Sequence, residues 1–427
     1  MDRILYLNYL EILKDELQPA LGCTEPIAVA YAAAKAREVL GCMPEKMSVM
    51  CSGNIIKNVM GVTVPNSGGL KGVDTAAVLG CVGGDASLEL EVLSPITNED
   101  RRRASELLAQ GFCSCALLEQ DENLHIICQV QAGENTACVE IKSGHTHIVK
   151  IIKNGMILFS LNDARSENGT NIPRGGDRSL LKVKDIYAFT NLVELKDVQG
   201  VIEPQIQYNS KIAREGLQGH WGLNVGAMVM AQCGEDLRQR ASALAAAGSD
   251  ARMSGCSLPV VINSGSGNQG MAVSLPVIEY ARALSVSHEK LIRALVLTNL
   301  IAIHQKRFIG SLSAYCGASS AGAAAACGIA YLYDEPLEVI DRTIINTIAT
   351  IGGMVCDGAK PSCAAKLRSA VDTAIFSFHL AREEKGCEKG EGLVAEDVEH
   401  TIENIGRMGR VGMASTDIEI LNIMLGH

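Results

Sequence analysis

From Phe308 to Tyr333 the chain carries no charged residue. A run of that length is long enough to cross a bilayer. Its composition points elsewhere, because Gly, Ser and Ala dominate where a membrane span would favour Leu and Ile. No equally long, strongly apolar companion is present. The run is therefore expected to be a helix at the centre of a soluble bundle, buried against closely approaching neighbours. Composition fits that expectation. Hydrophobic residues make up 47% of the chain and aromatic residues only 4%, and there are 42 glycines. Cores must then be built from Ala, Val, Ile, Leu and Gly. With 427 residues there is material for two or three domains with sizeable cores.

Three cysteines at or near glycine or proline breaks stand out in this region: Cys316, Cys356 and Cys363. A spacing of seven would place Cys356 and Cys363 on one face of a continuous helix. Gly358 and Pro361 argue instead for a loop, CDGAK, followed by a helix opening at Pro361. Cys363 then falls in the first helical turn, where free N–H groups and the dipole favour a thiolate or an anionic cluster bound to it. Three converging thiolates suggest a metal. A fourth Cys or His would indicate structural zinc. Three alone fit an iron–sulfur cluster with one iron left open. The alternative is three core cysteines, since free cysteine is among the most buried residue types. Cys327, inside AAAACG, is expected to be such a residue.

Lys and Arg number 38 against 48 Asp and Glu, a formal net charge of −10. That argues against nucleic acid or an anionic membrane as partner. The 15 cysteines are odd in number and no secretory leader is visible, so reduced thiols in a cytoplasmic protein are expected.

Taken in order, residues 2–17 form an amphipathic helix. In GCTEP, Thr24 or Glu25 is placed to cap and Pro26 to open an Ala-rich helix that stops at Gly41. Cys23 thus lies just before a helix N-terminus, where a lowered thiol pKa is expected. The alternative is that Cys23 packs in a tight turn. CSGNIIKN and VPNSGG have the composition of loops that bind a carboxylate or phosphate, although ordinary turns use the same residues. Residues 86–165 change character: LELEVL reads as a strand, NEDRRRASELLAQG as a helix, and the remainder as an antiparallel meander. His145 and His147 share one side of a predicted strand, and a solvent-facing hairpin end is preferred over a metal pair. Cys113, Cys115, Cys128 and Cys138 read as core. Residues 162–180 form a polar linker. Helices are then expected over 182–196, 203–218, 222–247, 271–284, 288–305, 311–333, 335–351, 361–385, 395–407 and 415–425. Before the fourth lies GCSLPVVINSGSGNQG, a strand ending in a glycine-rich loop that offers N–H groups to an anion. The fold class expected is α+β: a large, mainly helical domain carrying the three cysteines, formed by 1–85 and 166–427, with 86–165 inserted as a small α+β domain.

Together, GCTEP, SGNIIKN, PNSGG, NSGSGNQG, Cys316 and the Cys356–Cys363 segment resemble the L-cysteine desulfidase family, which is similar to the α-domain of iron–sulfur L-serine dehydratases. The resemblance covers most of the chain and is strongest over 19–84 and 255–370. It implies a [4Fe-4S] cluster on Cys316, Cys356 and Cys363, with Cys23 as base. The implied reaction converts L-cysteine and water to hydrogen sulfide, ammonia and pyruvate; L-serine dehydration with the same cluster is the alternative. The spacing of the last two cysteines differs from the serine dehydratases, and the Ser-rich motif of their β-domain is absent. Asn54, Lys57, Asn66, Ser264, Ser266 and Asn268 are the residues expected to hold the substrate's carboxylate and ammonium; Lys57 has an exposed charge as its alternative. Three rivals remain. One is a pyridoxal-phosphate lyase with Lys57 as aldimine lysine, which leaves the three cysteines idle. The others are a non-catalytic binding protein and a zinc hydrolase, the last lacking a His-rich ligand set. The abundant small-residue helices make a homodimer an expectation.

Overall fold

The computed structural model describes residues 1–118, 122–161, 175–310 and 312–426. The chain opens with α1 (Arg3–Glu16), β1 (Pro19–Leu21), α2 (Thr24–Leu40), β2 (Lys46–Ser52), α3 (Gly53–Met60), α4 (Val73–Gly83) and α5 (Asn98–Ala109). Five strands follow: β3 (Cys113–Leu118), β4 (His125–Ala132), β5 (Asn135–Lys142), β6 (Ile148–Lys153) and β7 (Met156–Ser160). Beyond them come α6 (Val183–Leu192), α7 (Leu195–Gln218), α8 (Val225–Gln232), α9 (Leu237–Met253), β8 (Pro259–Val261) and α10 (Gly267–Ala283). The remainder is α11 (His288–Ile309), α12 (Ala318–Leu332), α13 (Leu337–Ile351), α14 (Cys363–Arg382), α15 (Val398–Arg407) and α16 (Ala414–Leu425). The class is α+β, as expected.

The larger sheet has the order β3-β2-β4-β5-β6-β7, with β2 parallel to β3 and every other pair antiparallel. Its second strand comes from residues 46–52, so the sheet crosses the boundary expected at residue 86. The packing crosses it too: Ile27, Val29 and Ala33 of α2 share one core with Val49, Ile126, Cys128 and Val139. Helix α4 lies so close to α2 that a Cβ on Gly80 would sit 2.2 Å from the carbonyl oxygen of Ala30. LELEVL is not a strand. Residues Ala86–Glu91 form a 3₁₀ turn, started by the Asp85 carboxylate accepting from the Ser87 N–H and broken at Glu89 (φ 44). A short acidic side chain that bonds its own backbone competes here with extended structure. Cys128 is buried and Cys113 and Cys138 partly so, but Cys115 is exposed, because β3 is the sheet's edge.

The helical bundle is organised around α12. Residues 162–174, most of the polar linker expected over 162–180, and Ser311, the expected first residue of the helix 311–333, lie outside the described residues. Helix α12 starts at Ala318 rather than near 311, and almost all of it is buried among α10, α11, α13 and α14. Cys327 is fully buried within it, as expected. The small side chains permit this approach: a Cβ on Gly322 would meet the Ala370 carbonyl oxygen at 2.9 Å. Among the described residues no helix is long and apolar enough to cross a membrane. The expected helix 222–247 is two helices, α8 and α9, separated around Cys233–Asp236.

One strained carboxylate gives a test of the bundle. Asp341 on α13 has an Oδ1 without a hydrogen-bond partner. Burial, with Glu399, Glu338 and Asp397 nearby, raises its pKa to about 7. Folding therefore favours the protonated acid. Below the unfolded pKa both states hold the proton and there is no penalty. The penalty grows as pH rises toward 7 and is complete above it. Asp341→Asn is expected to raise the melting temperature by about 2–4 °C at pH 8. More than half of that gain should disappear at pH 5, and a pH-independent gain would refute the assignment.

Candidate active site

Two small β pairings bring distant segments together. In the first, β1 and β8 pair antiparallel, with Leu21 opposite Pro259. GCTEP leaves one strand and NSGSGNQG the other, so α2 and α10 begin side by side. The Thr24 hydroxyl donates to the Gly265 carbonyl oxygen at 2.8 Å across the join. The tight exit from β1 needs glycine: Gly22 has φ +57, and a Cβ there would lie 2.1 Å from Pro65 Cγ. In the second, Tyr315 bridges Val355. The Cys316 N–H donates to Met354 O at 2.8 Å and the Cys356 N–H to Ala314 O at 2.6 Å. The approaches to α12 and α14 are thereby tied together.

As a result the N-termini of α2, α10, α12 and α14 open on one cavity. It encloses about 100 Å³ open to the centres of water molecules, enough for several waters or a small organic molecule. Cys316, Cys356 and Cys363 all line it, together with Cys23, Ser264, Ser266 and Asn268. Four helix starts make the cavity positive, and buried cations add to this. Lys306 is only 6% exposed and lines the same wall; among the described residues it makes no ion pair.

The three cysteines form a coherent donor set. The Cys316 and Cys356 sulfurs act on each other, which pushes the pKa of Cys316 up and that of Cys356 down. Backbone N–H groups of Ala318, Gly358 and Lys360 face the sulfurs of Cys316, Cys356 and Cys363 respectively. The Cys316 thiol, with Lys57, the Gly358 N–H and Lys306, lowers the pKa of Cys356 against the effect of burial. Burial raises that of Cys363. Lys366 reaches the Val355 carbonyl oxygen at 2.6 Å and pairs with Asp357 beside Cys356. Among the described residues, no three His, Cys, Asp or Glu side chains converge tightly enough for a single metal ion. A four-iron cluster is several times wider than one ion and takes its thiolates from farther apart. Three cysteine sulfurs with backbone amides and lysines around them fit such an anionic cluster, which would take them as thiolates.

Cys23 packs with Met253 on the same side as Cys363, and titratable groups gather around it. Cys23 is the N-cap of α2 but its side chain caps nothing. Its thiol donates to Glu25 Oε2 at 3.0 Å. A lowered pKa was expected here. Instead burial, and then the Glu25 carboxylate, raise it well above the ordinary thiol value. The helix start is outweighed because the sulfur is fully enclosed beside an anion. Glu25 Oε1 lies 4.0 Å from His145 Nε2. That nitrogen is buried without a hydrogen-bond partner, and burial holds the imidazole's pKa down.

His145 was expected at a solvent-facing hairpin end. It sits in the turn between β5 and β6, and that turn inserts the ring against Gly265, 3.0 Å from where a Cβ would be. His147 alone stays at the surface, its Nδ1 beside Lys142 O at 2.9 Å. No local pattern reveals the difference, because it depends on where the sheet docks on the bundle. Gln269, Lys306 and Arg252 also line the cavity and were not singled out from sequence. The signals available were a polar residue inside NSGSGNQG and cations inside otherwise apolar helices.

Three expected substrate residues lie elsewhere. Asn54 and Lys57 line a second cavity of about 350 Å³ under α16. There the Asn54 amide donates to Asp417 Oδ2 at 2.7 Å, and Lys57, 1% exposed, pairs with the same carboxylate. Asn66 donates to the Leu93 carbonyl oxygen at 2.8 Å and holds a loop.

The model of the serine dehydratase alpha chain family matches residues 87–422. The UPF0597 protein of Lachnoclostridium phytofermentans is 51% identical over 421 residues, covering 99% of this chain and 100% of the relative. UPF0597 proteins of Finegoldia magna and Desulfitobacterium hafniense are 50% and 48% identical, over 98% and 99% of this chain and 99% and 97% of theirs. With a family match over most of its length and relatives aligned end to end, the chain belongs to the serine dehydratase alpha chain family.

Proposed function

We propose that the chain catalyses β-elimination from a small L-amino acid, converting L-cysteine and water to hydrogen sulfide, ammonia and pyruvate. The observation that carries this reading is the convergence of four helix N-termini and three cysteines on one small, cation-lined cavity. Cys316, Cys356 and Cys363 would hold a [4Fe-4S] cluster. When bound, it supplies a Lewis acid at an iron free of protein ligands.

The protein's own residues supply binding and proton transfer. Asn268 Oδ1 and Gln269 Oε1 are buried acceptors without partners, suited to an ammonium group. Cys23 is the base. Its proton passes to Glu25, leaving a thiolate and a neutral carboxylic acid, and the thiolate then takes the α-proton of the substrate. The carbon–sulfur electron pair leaves with the thiol group as the Cα–Cβ double bond forms. The neutral imidazole of His145 accepts the proton onward from Glu25, which resets the carboxylate. Burial and the Glu25 carboxylate hold this thiol protonated at rest, so the transfer to Glu25 accompanies substrate binding, when the substrate's ammonium brings positive charge beside the sulfur. The aminoacrylate released tautomerises and hydrolyses without further help.

L-Serine dehydration is the second reading, supported by the name of the matched family. Anaerobic assay of the reconstituted protein tests both. Sulfide and pyruvate are expected from L-cysteine, with a higher kcat/KM than pyruvate from L-serine. Pyruvate from serine without sulfide from cysteine would reverse the substrate assignment, and colour lost to borohydride would replace the cluster with an aldimine.

A further inference from the structure

Arg252, in the last turn of α9, is 2% exposed and lines the cavity. Its Nε donates to the Gly22 carbonyl oxygen at 2.8 Å. Among the described residues no carboxylate pairs with it, and its other guanidinium nitrogens make no hydrogen bond. Glu25 lies in the same wall, but Cys23 and Thr24 already donate to it. A buried cation without a counter-ion is strongly disfavoured unless an anion arrives. The position is built for that purpose. A Cβ on Gly267 would lie 2.4 Å from Arg252 Nε and 2.8 Å from Cζ, so only glycine at the start of α10 leaves the guanidinium its place. Gly22, which presents the accepting carbonyl, is fixed by its left-handed backbone against Pro65.

We propose that Arg252 is the carboxylate anchor of this site, binding the α-carboxylate of a small amino or 2-oxo acid through the guanidinium nitrogens that Gly22 leaves free. This rests on the amino-acid reading above and adds the group that orients the substrate. A carboxylate held on Arg252 and an ammonium on Asn268 and Gln269 would place Cα between them, on the side of Cys23. Amines without a carboxylate would be excluded, because nothing then offsets the guanidinium.

Binding of pyruvate and of L-alanine, neither of which has a β-leaving group, tests the anchor without turnover. Isothermal titration of the full-length protein should detect both ligands and give no signal for ethylamine. Loss of a charge-assisted, two-point contact is expected to weaken binding about 10–100-fold in Arg252→Lys and more in Arg252→Gln. Iron content after anaerobic reconstitution should be unchanged in Arg252→Lys, which retains the buried charge if the Gln variant fails to fold. Wild-type affinity for pyruvate in a folded Arg252→Lys protein would overturn the proposal, as would absence of pyruvate binding at millimolar concentration in the wild type. If the carboxylates bind through Arg252 but no iron is taken up, the anchor stands and the cluster-dependent reaction falls.

Discussion

Cys356→Ser protein, reconstituted anaerobically beside the wild type, is expected to lose at least about tenfold in iron content and all measurable sulfide production. Cys356 is the thiol most ready to ionise of the three, because the Cys316 thiol, Lys57, the Gly358 N–H and Lys306 all favour its anion. A serine hydroxyl in the same place stays protonated. It also leaves Lys306 buried with less negative charge to face. Cys327→Ala serves as control: that thiol is fully buried inside α12, away from the cavity, and its loss should leave iron uptake intact. Equal iron in both variants would mean that the three cysteines are merely core residues.

The second large effect is expected at Glu25. Glu25→Gln keeps the shape of the side chain but cannot accept the Cys23 proton, so the thiol stays neutral. A fall in kcat of about 10²–10⁴ is expected, with iron content and the affinity for pyruvate preserved. His145→Gln should cost less at the optimum and move the pH profile, since the carboxylic acid would then discharge to water. Unchanged kcat in Glu25→Gln would remove Cys23 from the role of base.

Much of this site was legible in the sequence because its parts sit at breaks. Glycine and proline mark where Cys316, Cys356 and Cys363 leave regular structure, and the same punctuation marks GCTEP and NSGSGNQG. The buried, charge-free helix was legible from composition. What escaped were features created by docking. His145 becomes internal only when the β5–β6 turn reaches Gly265. Arg252 is one arginine in an Ala-rich helix, and only the β1–β8 pairing shows that its neighbour is the Gly22 carbonyl. Lys57 and Asn54 looked like ligand-binding residues by type, but Asp417, far along the chain, claims both. The boundary at residue 86 failed for a similar reason, since strand pairing between 46–52 and 113–132 leaves no local trace.

Counting iron and acid-labile sulfide per chain after anaerobic reconstitution probes the central claim most directly. A three-cysteine cubane requires about four of each per folded chain, with colour bleached by air. A protein that melts cooperatively yet retains less than about one iron per chain would contradict it.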